Sequence, residues 1–132
     1  MKEITRINHV GLRVGSLDVS RAFYEQLGFV FIVGPIGPEP VAVMEHPSGI
    51  NINFILNASA KNTKNMLMDV SEKYAGYTHI ALEVTDLDSV QEKLGKMNIT
   101  ITEGPITVAG GAMLIFIRDP DENVIEFHKP NT

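Results

Sequence analysis

The chain of 132 residues contains no cysteine and no tryptophan. Without cysteine there can be no disulfide, no thiolate metal ligand and no cysteine nucleophile. Any metal chemistry must therefore rest on imidazole, carboxylate and amide oxygen. No apolar run approaches the roughly 18 residues that span a bilayer, and the opening MKEITRINHV lacks the apolar core of a secretory signal. Basic residues are few, 11 against 16 acidic ones, and they are scattered, giving a formal net charge of −5. A phosphate backbone is bound by a concentrated basic surface, so nucleic acid is not expected as the main partner. These absences predict a cytoplasmic protein with no membrane partner and no nucleic-acid partner.

What is present is ordinary in amount and unusual in order. Apolar residues make up 44% and charged residues 20%, the composition of a soluble globular domain, and the length suits one domain. The chain repeats itself. NHVGLRVGSLD (8–18) and THIALEVTDLD (78–88) share His, Leu, Val, Leu and Asp in register, where composition alone gives roughly one identity. HPSGININF (46–54) and DPDENVIEF (119–127) share Pro, Ile and Phe. Offsets of 70 and 73 residues mean that two copies of one unit follow each other in the same order.

Each copy reads as βαβββ. In the first, a strand over 6–14 leads to a helix capped by Ser16 or Asp18, with an apolar face of Leu17, Ala22, Phe23 and Leu27 and a stop at Gly28. Strands follow near 29–33, 41–45 and 50–56, separated by the turn chemistry of GPIGPEP and HPSG. The second copy predicts a strand at 77–84, a helix at 86–97 and strands near 99–103, 112–118 and 123–128, with GPITVAGG and DPDEN as turns. A four-stranded sheet with one helix leaves a face uncovered, so two such units must cover each other or enclose something. The modules span about 4–57 and 76–130. Residues 58–75 between them are polar and weakly patterned, and read as a linker with one helical turn around 66–72 and as a candidate lid over 61–74.

The polar residues on the strands share this register. His9 and His79 lie on the first strand of each copy, and Glu126 interrupts the apolar run of Val124, Ile125 and Phe127 where Asn53 stands in the first copy. One histidine on an apolar strand is usually a hydrogen-bonded core residue. Recurrence at equivalent positions favours a shared site instead. If a pseudo-twofold axis relates the copies, all four converge between the sheets. Two imidazoles and a carboxylate suit a divalent cation such as Ni, Zn, Co, Mn or Fe and leave positions open for substrate. A cation also offsets the cost of burying Glu126. Asn53 is a weak fourth donor. Arg13 shares the strand face of His9 and can clamp an anion through two parallel hydrogen bonds. His46 lies in a turn, aligned with Asp119, and reads as exposed; His128, two residues past Glu126, faces the same side but near Pro130 reads as surface. Met44, Met113 and Phe116 read as core, with cavity lining as the alternative.

Along HVGLRVGSLDVSRAFYEQLGF (9–29), GYTHIALEV (76–84) and GPITVAGGAMLIFIRDPDENVIEF (104–127), the chain resembles the vicinal oxygen chelate superfamily. Its members include glyoxalase I, extradiol dioxygenases, fosfomycin-resistance proteins, methylmalonyl-CoA epimerase and bleomycin-resistance binding proteins. The likeness is strongest to bacterial-type glyoxalase I. It implies an α+β fold, one domain over 1–132 whose two βαβββ modules form a curved mixed sheet around a central cavity. It also implies a divalent metal between the modules, a small-molecule substrate such as a glutathione adduct, and a homodimer. By the same resemblance Glu126 is both ligand and catalytic base, while Arg13 and Asn57 bind glutathione. Glyoxalase I carries a glutamate where this chain has Asn53, a neutral and poorer ligand. A set of two histidines and one glutamate is similar to that of extradiol dioxygenases and fosfomycin-resistance enzymes. An Fe(II) dioxygenase or an electrophile-opening enzyme is therefore the second reading, and a non-catalytic binding protein the third.

Overall fold

The protein is seen in a computed structural model that describes residues 1–59 and 64–132. It divides into two compact units, Met1–Asn62 and Thr63–Thr132. Of the predicted linker and lid, residues 60–63 lie outside the described residues.

The first unit is built from β1 (Val10–Arg13), α1 (Leu17–Gln26), β2 (Val30–Ile36), β3 (Val41–Glu45) and β4 (Asn51–Ile55). The second runs β5 (His79–Glu83), α2 (Leu87–Lys96), β6 (Glu103–Thr107), β7 (Met113–Arg118) and β8 (Val124–Lys129). The two sheets have the same plan, β1-β4-β3-β2 and β5-β8-β7-β6, with the first strand of each parallel to the last. The βαβββ repeat expected from the sequence is thus the observed order of elements.

Local chemistry repeats with the topology. Ser16 caps α1 by accepting from the Val19 backbone N–H, and Asp86 caps α2 by accepting from that of Ser89. Past the helix ends, Gly28 and Asn98 take φ of 96° and 57°, the left-handed conformation that glycine and asparagine adopt at least cost. In the first unit Ala42, Met44, Ile52 and Phe54 share the buried sheet face, and Tyr24 of α1 packs its ring 5.4 Å from Phe54 and 5.7 Å from Phe29. Met44 is fully buried there and belongs to the core. In the second unit Ile115, Ile117 and Ile125 are inaccessible, and α2 packs on β8 with Leu87 and Leu94 buried. We predict that Leu94→Ala destabilises the protein by about 2–5 kcal/mol, measured as a lower urea midpoint, because it removes buried methyl groups and leaves a void.

The edge strands depart from the sequence reading. The predicted strand at 99–103 lies at Glu103–Thr107, and GPITVAGG (104–111) is strand up to Thr107 rather than turn throughout. β2 likewise runs into GPIGPEP, as far as Ile36. Gly-Pro reads as a chain break, yet on an edge strand the missing proline N–H faces no neighbour, and the ladder absorbs the irregularity by shifting register near each pair.

Residues that follow the undescribed segment are tied to the second unit. A turn forms where Asn65 accepts from Leu67 N–H and Met68 N–H at 3.0 and 3.1 Å, at the start of the predicted helical turn. Arg118 donates to both Asp69 oxygens at 2.8 and 3.0 Å. That hydrogen bond chiefly, with the guanidinium charge, holds the Asp69 carboxyl below the usual aspartate range. A carboxylate with a lowered pKa stabilises the fold above its unfolded value, and the contribution is lost as pH falls below it. We therefore expect amide protection at Leu67 and Met68 to drop on acidification below about pH 4. Asp69→Asn should show the low protection at every pH, read by hydrogen exchange.

Candidate functional site

In the second unit the parallel register Ala81↔Glu126 and the antiparallel register Phe116↔Glu126 put His79, Phe116, Glu126 and His128 on one sheet face. Glu126 is 8% exposed, in the middle of β8. Its Oε2 accepts from His128 Nδ1 at 2.8 Å, while its Oε1 faces His79 Nε2 at 3.5 Å. His79 is held from behind, with Nδ1 2.9 Å from Thr78 Oγ1 and its ring edge-on to Phe116. The hydroxyl accepts the Nδ1 proton in the tautomer that leaves Nε2 bare and directed at the carboxylate. Ala81, paired with Glu126, keeps bulk away from the carboxylate on this face.

The first unit repeats the pattern. His9 directly precedes β1 and is exposed, and its Nδ1 donates to Asn8 Oδ1 at 2.9 Å, which again leaves Nε2 bare. Asn53 is half-buried on β4, opposite Gly11, on the face that His9 and Arg13 share. Arg13 Nε donates to Asn57 Oδ1 at 2.9 Å, and Asn57 Nδ2 donates to Glu39 Oε1 at 3.2 Å. The guanidinium also lies 3.9 Å from Glu39. The predicted substrate pair Arg13 and Asn57 is therefore assembled, with Glu39 as a third member that the sequence did not reveal.

The structure thus brings together His79 with Glu126 in the second unit, and Arg13 with Asn57 in the first. Asn8, Thr78, Glu39 and His128 were missed, and His128 is corrected from surface residue to a half-buried partner of Glu126. The shared strand face was legible from the i, i+2 spacing; the signal left unused was that a buried carboxylate requires a donor. His46 is half-buried; its Nδ1 is taken up within its turn by Ser48, in the place where Asp119 bonds Asp121 and Asn123 in the other unit.

The matching family model, glyoxalase/bleomycin resistance protein/dioxygenase superfamily, covers residues 6–127. The chain belongs to this superfamily. It is 32% identical over 128 residues to a lactoylglutathione lyase of Haemophilus influenzae, covering 92% of this chain and 90% of that protein. It is 28% identical over 131 residues to a probable lactoylglutathione lyase of Synechocystis, covering 89% and 90%. Among solved structures, a glyoxalase family protein from Enterococcus faecalis superposes with a TM-score of 0.77 at 20% identity, covering 93% of this chain and 96% of that one. The fosfomycin resistance protein FosX of Listeria monocytogenes superposes with a TM-score of 0.70 at 18% identity, covering 97% and 95%. The structural likenesses establish the tandem βαβββ fold of the superfamily.

Members of this superfamily commonly use a divalent metal, and the spacing of one pair, His79 and Glu126, is compatible with one. A gap of 3.5 Å between His79 Nε2 and Glu126 Oε1 exceeds the usual hydrogen-bond range of about 2.7–3.2 Å. It is close to the roughly 3.4 Å that separates two donors of one tetrahedral cation with bonds of about 2.1 Å. Among the described residues no group of three or more His, Asp or Glu side chains is assembled to hold a metal. No described helix is long and apolar enough to cross a membrane.

Proposed function

We propose that the protein is a metal-dependent lyase of the glyoxalase I type, acting on the hemithioacetal of glutathione and a 2-oxoaldehyde or on a related substrate with vicinal oxygens. The observation that carries this reading is the buried Glu126 carboxylate, with Oε2 held by His128 and Oε1 open toward His79 Nε2. The lactoylglutathione lyases among its relatives support it, as does the assembled Arg13–Asn57 pair.

In this reading His79, Glu126 and His9 hold the cation, with Asn53 as a weaker fourth donor, and the two units act as modules of one domain over 1–132, alone or in a homodimer. The bound cation would supply Lewis-acid polarisation of two neighbouring substrate oxygens. Glu126 takes the proton from the carbon that bears sulfur and returns it to the adjacent carbonyl carbon, while the hydroxyl proton passes to the neighbouring oxygen, so a hemithioacetal becomes a 2-hydroxy thioester with no atom gained or lost. Arg13 binds a substrate carboxylate through its Nη groups, while Asn57 fixes its Nε. Arg13→Ala should therefore raise KM on the order of tenfold or more and change kcat less, since a charge-assisted hydrogen bond is worth about 1.5–3 kcal/mol. Steady-state kinetics with the glutathione hemithioacetal measure the split. Equal rises in KM for glutathione and for a thiol lacking carboxylates would remove Arg13 from the substrate.

Asn53 favours a second reading. A neutral amide in place of a carboxylate leaves two histidines and one glutamate, the ligand type suited to Fe(II) oxygenases and to enzymes that open an epoxide or similar electrophile. Oxygen uptake with catechols identifies the former and consumption of an epoxide the latter. Ligand binding that survives chelation without turnover identifies a binding protein.

A further inference from the structure

We propose that His128 is a positioning residue for Glu126, whose Nδ1–H fixes the rotation of the carboxylate so that Oε1 presents to the cation held with His79. The inference rests on the metal-site reading above and deepens it.

A carboxylate turns easily about its last torsion, which is broad and roughly two-fold. Burial alone does not settle where its oxygens point. Glu126 and His128 lie two residues apart on β8 and so share a face, and the 2.8 Å contact to Oε2 takes one oxygen out of play. An ionised carboxylate only accepts, so the bond places a proton on His128 Nδ1. The remaining oxygen, Oε1, is the one directed at His79 Nε2. Each of these three side chains is thus oriented by a neighbour from behind: His79 by Thr78, His9 by Asn8 and Glu126 by His128. Partners of this kind change metal affinity by about 10–100-fold when removed.

The test is calorimetric titration of Zn²⁺ into metal-free wild-type protein, His128→Ala and His128→Asn, with thermal unfolding of each. Asparagine places its Nδ2 near where the imidazole carries Nδ1. We expect His128→Ala to bind Zn²⁺ at least tenfold more weakly than wild type, and His128→Asn to recover most of that loss at similar thermal stability. Affinity unchanged in His128→Ala, or equally reduced in both variants, would overturn the proposal. Absence of Zn²⁺ binding by the wild type would count against the metal-site reading itself, a different failure. Independently of any variant, the long-range ¹H–¹⁵N spectrum of the metal-free wild type should show His128 protonated on Nδ1, and a bare Nδ1 would overturn the proposal as well.

Discussion

In Glu126→Gln, hemithioacetal turnover falls at least a thousandfold, to the level of the uncatalysed reaction. General-base catalysis alone contributes about 10²–10⁴-fold, and an amide cannot take up a proton at neutral pH. Glutamine has nearly the shape of glutamate, and its carbonyl oxygen can accept the His128 Nδ1–H that now bonds Oε2. The variant therefore tests the chemistry of the site and leaves its packing in place. It also lacks the charge that attracts a cation, so metal content is measured alongside turnover. Zn²⁺ bound at near wild-type occupancy with turnover lost isolates the base. Full activity in Glu126→Gln would remove the assigned role.

The second large effect is expected in His79→Ala. The substitution deletes the Nε2 donor facing Glu126 and the ring that packs against Phe116, while Thr78 loses its partner. Affinity for a divalent cation should fall by two orders of magnitude or more, and turnover with it. His79 is exposed at the start of β5, so deletion leaves little void and the fold should persist, as circular dichroism would report. Wild-type affinity and turnover in this variant would mean that the cation is held without His79.

Much of this was legible because the repeat wrote it twice. Two histidines 70 residues apart, each two positions before a small residue, cannot be told from core histidines singly. Paired in register with Asn53 and Glu126 they suggest one site, of which the structure brings together His79 and Glu126. The first helix was read from side chains that act locally: Ser16 caps it and Gly28 ends it. Edge strands were harder. Pro35 and Pro105 normally break a ladder, and their tolerance at an edge depends on which strand lies outermost, a fact of topology rather than of the local sequence. Glu39 comes from the turn between β2 and β3, and nothing in GPIGPEP announces that this carboxylate meets Asn57 of a different segment. His128 escaped because Pro130 made its surroundings read as a chain end. The strand includes His128 and runs on to Lys129, so His128 lies inside β8 on the face of Glu126.

The most direct test of the account is turnover of the glutathione–methylglyoxal hemithioacetal by metal-free protein reloaded separately with Ni, Co, Zn, Mn and Fe(II). The account predicts no turnover without metal, turnover with at least one of these cations, and its loss in His79→Ala under the same loading. Protein that demonstrably binds a cation yet turns over no hemithioacetal with any of the five would contradict the lyase reading and direct attention to catechols and epoxides as substrates.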